Sequence, residues 1–292
     1  MVGPFRRALV IANPIAGRGR AEAIGRRVAQ ELARRGAPAD LHLTRARGDA
    51  RARVAALGPD VDLVVAVGGD GTLREVLDGL PDRQVPVGVV PFGTANVMSR
   101  DLGLPREVDR AVDVIAAGKV TRIDAARVNG HLSFLVTGVG LDGLIVREVE
   151  RRRSGPITRW SYASALARAL PRYRAPRLSV MIDGVAAGEY GLVLVSNIIH
   201  YAGLLRLAPD RRLDDGRFEV YLFRDAGRRA LAAAMLRGLV TRLSHAASEV
   251  RPARSVRVTS DAGVPYHVDG DYCGETPVDF AVCDRQYALL TP

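Results

Sequence analysis

Short apolar runs alternate with amphipathic stretches through the first part of the chain. Arg7–Ala12 reads as a strand that ends in Asn13-Pro14-Ile15-Ala16-Gly17-Arg18-Gly19-Arg20. Ile24, Val28 and Leu32 then recur at helical spacing, so a helix is expected to about Arg35, stopped by Gly36-Ala37-Pro38. Ala39–Thr44 reads as a second strand, Gly48–Leu57 as a helix and Gly58-Pro59 as its turn. Leu63–Val67 is a continuous valine-rich run, the pattern of a strand buried on both faces of a parallel sheet. Val85–Val90 is a fourth strand and runs into Pro91-Phe92-Gly93-Thr94-Ala95-Asn96. A short helix, Gly103-Leu104-Pro105 and a helix to Ala117 follow. This alternation predicts a parallel sheet with helices on both faces, which takes ligands at the carboxyl ends of its strands.

The pattern changes near Arg122-Ile123-Asp124. Ala125–Val128 and His131–Val136 read as strands joined by Asn129-Gly130, a strong hairpin signal. A helical stretch from about Leu141 to Leu170 is interrupted at Gly155-Pro156. The β segments Arg177–Ile182, Tyr190–Ser196, Phe218–Phe223, Ser255–Thr259, Tyr266–Asp269, Val278–Val282 and Tyr287–Leu290 follow. Turn cues stand at Asp183-Gly184 and Asp215-Gly216, and a helix is expected at about Arg229–Leu243. The expected fold is α/β plus mostly β. A parallel-sheet domain covers 1–123, and an antiparallel, sandwich-like domain covers 124–292, with the extreme C-terminus packing back on the first domain.

Composition narrows the partners. The hydrophobic share is 48%, enough for real cores. No apolar run reaches the length of a membrane span, and MVGPFRRALV has no signal-peptide pattern, so a soluble, cytoplasmic protein is expected. Cys273 and Cys283 are the only cysteines, too few for a disulfide framework or structural zinc, and read as buried free thiols. The histidines show no metal-binding spacing and read as surface or core residues. The net charge of +10 suits an anionic surface, whether membrane headgroups, nucleic acid or nucleotides. Aromatics make up 5% of the chain and never alternate with basic residues, so no base-stacking platform and no nucleic-acid partner are expected. Lys119 is the sole lysine and lies in no GxxxxGK[ST], which excludes a P-loop NTPase and a protein kinase with its strand lysine.

The strongest chemical signal is Gly68-Gly69-Asp70-Gly71-Thr72, directly after the Leu63–Val67 strand. Its glycines permit φ > 0 and close approach to a ligand, and Thr72 with Glu75 can form a capping box for the next helix. Backbone N–H groups and the helix dipole then favour a phosphate. An ordinary glycine-rich turn is the bland alternative, but Asp70 would repel a phosphate unless Mg²⁺ or a ribose hydroxyl stood between them. Asn13–Arg20 adds backbone donors or is only a turn. Asn96 either caps its helix or bonds a ligand. Gly138-Val139-Gly140-Leu141-Asp142-Gly143 matches GxGxxG but lies outside a βαβ unit, which argues against a dinucleotide site. Asp214-Asp215-Gly216 and Val268-Asp269-Gly270-Asp271 read by default as hairpin turns.

Arg151–Arg177 carries eight arginines and no acid. In a helix from about Ile157, Trp160, Ala163, Ala167 and Leu170 share one face. That face reads as domain packing or as a membrane-facing stripe, and the arginines are expected to attract anionic lipid.

Asn13–Arg20, Gly68–Leu80 (GGDGTLREVLDGL) and Pro91–Pro105 (PFGTANVMSRDLGLP) together resemble the diacylglycerol kinase catalytic-domain family, soluble bacterial lipid kinases related to sphingosine and ceramide kinases. The likeness continues through Arg122–Gly143, Leu213–Val220 and Val268–Val282. It implies a nucleotide-binding domain resembling phosphofructokinase and NAD kinase, a β-sandwich-like lipid domain, and an active site between them. It implies ATP contacts from Asn13, Pro14, Gly17, Thr44, Gly68, Gly69, Asp70, Gly71, Thr72, Thr94 and Asn96, with Asp70 near a catalytic Mg²⁺. A structural Mg²⁺ is implied at Asp215 with the carbonyls of Arg212 and Arg217. The catalytic base is implied within Asp269-Gly270-Asp271. Strand alternation would set Asp269 and Asp271 on one side as a repelling pair, with Asp271 the base and Asp269 orienting Mg²⁺ or the hydroxyl. Three positions depart from the family pattern: Val97 for Asp, Asp78 for Asn and Asp271 for Glu.

The expected activity is ATP-dependent phosphorylation of a membrane-lipid hydroxyl, foremost diacylglycerol, by a cytoplasmic protein peripherally bound to an anionic membrane. A homodimer is the one self-association expected. The alternatives are a NAD kinase, which also uses a GGDG loop, and a non-catalytic lipid- or nucleotide-binding module.

Overall fold

The computed structural model describes residues 4–82, 84–152, 155, 159–201, 205–207, 212–231, 233 and 247–292. The helix expected at about Arg229–Leu243 falls largely outside them. The chain divides into two compact units, Met1–Ile123 with Gln286–Pro292, and Asp124–Arg285.

The first unit holds β1 (Ala8–Ala12), β2 (Ala39–Leu43), β3 (Leu63–Gly68), β4 (Val87–Pro91) and β5 (Val120–Ile123). With a C-terminal strand, Tyr287–Leu290, they form a six-stranded sheet in the order β2-β1-β3-β4-C-terminal strand-β5. Neighbours are parallel except β5, which runs antiparallel to the C-terminal strand. All six residues of β3 are buried, as a strand covered on both faces requires. Helices α1 (Ala21–Arg34) and α5 (Val108–Ala117) bury Val28, Leu32, Val112 and Ile115 against Val10, Val65 and Val67. The alternate strand residues, such as Leu9, Ile11 and Val64, face the side where α2 (Asp49–Ala55) and α3 (Asp70–Gly79) bury Val54, Leu73, Val76 and Leu77. A short α4 spans Val97–Asp101.

The second unit is a sandwich. Its strands are β6 (Ala126–Val128), β7 (His131–Ser133), β8 (Val136–Val139), β9 (Leu178–Ile182), β10 (Val185–Tyr190), β11 (Leu192–Ser196), the short β12 (His200–Tyr201) and β13 (Leu205–Arg206), β14 (Phe218–Phe223), β15 (Glu249–Ala253), β16 (Ser255–Thr259), β17 (Pro265–Val268), β18 (Asp271–Glu275) and β19 (Val278–Val282). Tyr287–Leu290 of the first unit is then β20. One antiparallel sheet has the order β10-β9-β16-β19-β6-β7 and the other β15-β14-β11-β8-β17-β18. Val180, Val256 and Phe280 from one meet Val195, Phe218 and Val268 from the other. The Phe218 and Phe280 rings meet edge to face at 5.0 Å.

Helix α6 (Leu141–Arg151) packs directly on β17, because a Cβ at Gly143 would overlap the Pro265 carbonyl. Helix α7 (Arg159–Ala169) buries Ala165 and leaves Trp160 82% exposed. Ala163 and Ala167 are exposed with it, while Leu170 at the end of the stripe is half-buried. Arg152 and Arg168 pair with Glu148 of α6, an acid outside the basic stretch.

The expected strand His131–Val136 is two strands in different sheets. The chain leaves β7 at Ser133 and enters β8 at Val136. Between them the N–H groups of Phe134, Leu135 and Val136 bond the Asp269 carboxylate instead of a neighbouring strand. Tyr190–Ser196 is likewise divided at Gly191, where Ala226 Cβ would lie 2.6 Å from an added Cβ. Asn129-Gly130 and Asp183-Gly184 form the expected hairpin turns, with φ of 46° and 87°, and 48° and 80°.

Candidate functional site

Parallel pairing places the ends of the central strands of the first unit at one level. Ala12 stands opposite Leu43 and Val67, and Gly68 opposite Pro91. The next backbone groups continue the ladder: Asn13 N–H donates to Val67 O at 3.2 Å, Thr44 N–H to Ala12 O at 2.9 Å, and Phe92 N–H to Gly68 O at 2.7 Å. Asn13, Thr44, Gly69 and Gly93 therefore share one carboxyl edge of the sheet, where doubly wound sheets take ligands.

Side chains shape that edge. Asn13 Oδ1 accepts the Ile15 N–H at 3.2 Å, an Asx turn that passes through Pro14. Gly17 takes φ +58° and lies on Phe92, whose ring a Cβ would overlap. Arg20 also stacks over Phe92, with its guanidinium carbon 5.5 Å from the ring centre. Thr94 is exposed at the tip of its loop.

The glycine loop differs in detail from the sequence expectation. Gly68, Gly69 and Gly71 all keep ordinary φ. Gly68 and Gly69 are needed for space instead. Thr72 Oγ1 would lie 2.5 Å from a Cβ at Gly68, and Gly93 Cα 3.1 Å from one at Gly69. Gly71 faces open space. Helix α3 begins at Asp70, three residues before the capping box would start it, and no side chain caps it. Glu75 Oε1 accepts the Gly48 N–H at 2.8 Å, so it does not reach back along its own helix.

Asp70 has a partner that the sequence did not show. Its Oδ2 accepts the Val97 N–H at 3.0 Å and its Oδ1 the Met98 N–H at 3.4 Å, which satisfies the start of α4 and ties two loops together. Val97 makes this contact through its backbone, so the absent Asp side chain is not needed for it. Asn96 adopts φ +47°; its Oδ1 accepts the Gly93 N–H at 2.9 Å and its Nδ2 donates to Gly93 O at 2.8 Å. At 3% exposure it closes its own loop, neither capping α4 with its side chain nor presenting it to a ligand. Asp78 pairs with Arg51 at 3.3 Å.

In the second unit, Asp269-Gly270 is a two-residue hairpin turn with φ +51° and +86°. Val268 pairs with Asp271 across it. The strand turns rather than continues, so alternation does not make Asp269 and Asp271 a pair. Asp269 Oδ1 accepts from Ser133 Oγ at 2.9 Å, Leu135 N–H at 3.1 Å and Val136 N–H at 3.0 Å; Oδ2 accepts the Phe134 N–H at 3.0 Å. This carboxylate is turned onto the β7–β8 connection, where it gathers the Ser133 hydroxyl and three backbone N–H groups. Asp271 opens β18 and is half-buried.

The acidic turn is pinned by Asp124, a residue that the sequence marked only as a boundary. Asp124 is 1% exposed; its N–H donates to Leu213 O at 2.6 Å and its Oδ2 accepts the Gly216 N–H at 2.6 Å. Asp215 Oδ1 accepts the Arg217 N–H at 3.1 Å, and Arg212 pairs with Asp214 at 3.3 Å. The signal was available: an acid between Ile123 and Ala125 in apolar surroundings must find backbone donors. Among the described residues no group of three or more His, Cys, Asp or Glu is placed to hold a metal. The donors of the Arg212–Arg217 turn are a carboxylate and main-chain carbonyls, oxygen chemistry that suits a hard divalent cation.

Sequence reasoning also missed His267. It is buried in β17, with Nε2 2.5 Å from Asp142 Oδ2 and Nδ1 accepting the Gly270 N–H at 3.2 Å. The Tyr201 hydroxyl bonds the same carboxylate. Burial pushes the Asp142 carboxyl up, but His267 and Tyr201 outweigh it and hold the group below its ordinary value. Tyr201 is pushed well up, by burial first and then by Asp142. Gly138, Gly140 and Gly143 have structural causes: Gly138 makes room for the Asp142–His267 pair, Gly140 takes φ +111°, and Gly143 lets α6 touch β17. The GxGxxG match is a packing motif.

Residues 7–128 match the family described as Diacylglycerol kinase catalytic domain, and residues 135–291 the YegS C-terminal NAD kinase beta sandwich-like domain. The chain is 31% identical to a diacylglycerol kinase of Bacillus subtilis (strain 168) over 297 aligned positions, covering 99% of this chain and 97% of the relative. It is 29% identical to a diacylglycerol kinase of Staphylococcus carnosus (strain TM300), covering 98% and 95%. A solved diacylglycerol kinase structure from Bacillus anthracis str. Sterne superposes with a TM-score of 0.75 at 22% identity, over 99% of this chain and 98% of that one; it has the same fold.

Proposed function

The chain belongs to the diacylglycerol kinase catalytic-domain family, with a YegS-type C-terminal domain, and from that premise we propose that it phosphorylates diacylglycerol with ATP. The observation that carries the reading is the level carboxyl edge of the first unit. There Gly69 and Gly93 lie backbone against backbone and Gly71 stands open beside the start of α3. Such an edge offers N–H donors and a helix N-terminus to a nucleotide phosphate. Asn13, Gly17, Thr44 and Thr94 border it and are its proposed ATP contacts, with Gly68 and Asn96 shaping the loops from behind.

Phosphoryl transfer depends on positioning and charge neutralisation more than on covalent groups. The lipid hydroxyl oxygen forms a bond to the γ-phosphorus while the bond from that phosphorus to the β–γ bridging oxygen breaks, leaving ADP with the electron pair. The hydroxyl proton passes to the Asp271 carboxylate. Mg²⁺, when bound near Asp70, would neutralise phosphate charge, and the Asp215 turn would offer oxygen donors to a separate, structural Mg²⁺. Asp271 is shorter than Glu by one methylene, so the acceptor hydroxyl must approach the β17–β18 turn more closely, by about 1 Å on covalent dimensions.

An anionic membrane surface is the proposed meeting place with the lipid. Among the described residues no helix is long and apolar enough to cross a membrane. Trp160 stands exposed on α7, with Arg174 and Arg177 exposed after it. An exposed indole and exposed arginines on one unit suit the headgroup region. Sedimentation with phosphatidylserine liposomes should bring the protein down at low salt and release it at high salt; salt-independent binding would remove the electrostatic part.

The deciding assay is radiolabelled ATP with diacylglycerol, ceramide and other lipid alcohols in mixed micelles, and with NAD in parallel. Label in phosphatidic acid is the expected result. Label in another lipid moves the substrate, label in NAD favours the ribose kinase, and no label in any arm favours a non-catalytic module.

A further inference from the structure

Three interactions in series connect Tyr201 of β12, through Asp142 of α6, to the turn that precedes Asp271. Tyr201 bonds the Asp142 carboxylate, Asp142 Oδ2 lies 2.5 Å from His267 Nε2, and His267 Nδ1 accepts the Gly270 N–H at 3.2 Å. The backbone beneath is cleared for them. His267 stands opposite Gly138 in the β17–β8 register, and a Cβ at Gly138 would overlap Asp142 Oδ2 and come 2.6 Å from His267 Nε2.

Donor and acceptor roles follow from the geometry. An imidazole nitrogen that accepts an N–H carries no proton of its own. The Gly270 N–H therefore places the ring proton on Nε2, which donates it to Asp142. One tautomer and one ring orientation result. On the far side of the turn, Asp269 is held by the Ser133–Val136 segment. Both turn residues take positive φ, a conformation that needs such restraint, and Asp271 is the next residue in the chain.

We infer that Asp142 and His267 are positioning residues for the Asp271 carboxylate, holding the Asp269-Gly270 turn through the Gly270 N–H. The inference rests on the lipid-kinase reading above. Neither residue takes the substrate proton; their effect on transfer comes through the placement of Asp271.

Two substitutions separate the arms of the tether. His267→Asn keeps an amide oxygen near the Nδ1 position and so keeps an acceptor for Gly270. His267→Gln keeps an amide donor near the Nε2 position for Asp142 but removes that acceptor. Expected for His267→Gln is a kcat about 10- to 100-fold lower, with the KM for ATP within about twofold of the parent. His267→Asn should stay within about threefold of the parent, although it disturbs Asp142 more. Melting temperatures and Gly270 amide exchange are measured on both. Equal losses in the two variants, or none in either, would overturn the positioning role. In the unmodified full chain, ¹⁵N spectra of the imidazole should show the Nε2–H tautomer at neutral pH; the other tautomer, or an imidazolium, overturns the tether itself. If the unmodified chain phosphorylates no lipid, the kinase reading fails and the positioning role with it, while the spectra still report whether the tether exists.

Discussion

Asp70 in the first unit and Asp269 in the second both sit among glycines, and both close their carboxylates on backbone N–H groups of another segment. Asp70 collects Val97 and Met98; Asp269 collects Phe134, Leu135 and Val136, with the Ser133 hydroxyl. The glycines beside them meet different needs. Around Asp70 they keep ordinary φ and allow two loop backbones to touch. Beside Asp269, Gly270 supplies the second positive φ of a tight hairpin. An acid in a glycine-rich loop is thus no direct sign of a metal or a base: its first partners are orphan N–H groups. The residue proposed for chemistry is Asp271, one step beyond such a turn.

The largest expected effect tests that separation. Asp271→Asn should lower kcat by roughly 10²–10⁴ with little change in melting temperature or ATP affinity, and Asp271→Glu should keep or raise activity. Asp269→Ala should instead cost stability, on the order of 3 kcal/mol, because it strands several backbone donors at once. Denaturant unfolding beside steady-state kinetics reads both. An Asp271→Asn enzyme that turns over normally would break the contrast from one side, and a fully stable Asp269→Ala chain from the other.

The loop glycines give the next effects. Gly93→Ala would drive a methyl into Gly69 Cα, and roughly 1–3 kcal/mol of stability should be lost. Gly69→Val places a branched side chain at the same contact and should abolish Mg-ATP binding in calorimetric titration. At Gly71 nothing lies within 4 Å of a Cβ, so Gly71→Ala should leave the melting temperature almost unchanged. Any loss of ATP affinity there then reports a nucleotide that comes close. Unchanged affinity in Gly71→Ala would remove this face of the loop from the proposed site.

The smallest effect concerns a more exposed version of the same device. Asp62 accepts the N–H groups of Arg6 and Arg7 at 3.0 Å. Partial burial pushes its carboxyl up, but these backbone hydrogen bonds and the Arg6 guanidinium together outweigh burial and hold it below its ordinary value. A depressed folded pKa contributes stability above the unfolded value, near 4, that is lost as pH falls through the lower folded value. Asp62→Asn should therefore flatten the acid limb of the stability–pH curve slightly and matter little at neutral pH. An identical acid limb would show that Asp62 contributes nothing.

Local chemistry made much of the fold legible. The Leu63–Val67 run could only be a strand covered on both faces, and Asn129-Gly130 could only be a tight turn. The order of apolar runs and helical periods implied a doubly covered sheet followed by a sandwich. Candidate site residues were chosen where chemistry coincided with such a boundary, as at Asn13, Gly69 and Asp271. Strand β5 was missed because Val120–Ile123 is too short and too exposed to show a period, and becomes a strand only beside Tyr287–Leu290.

By itself, then, the sequence determined the two kinds of architecture, the glycine-rich junctions and the residue types available at each, because periodicity, turn propensity and composition act within a few neighbours. The tertiary structure alone decided which N–H each carboxylate would take: Val97 for Asp70, Phe134 for Asp269, Gly216 for Asp124. It also decided that His131–Val136 would break into two sheets and that Asp142 and His267 would meet over Gly138. Buried polar groups must find partners wherever the fold brings them, and those partners lie far away along the chain.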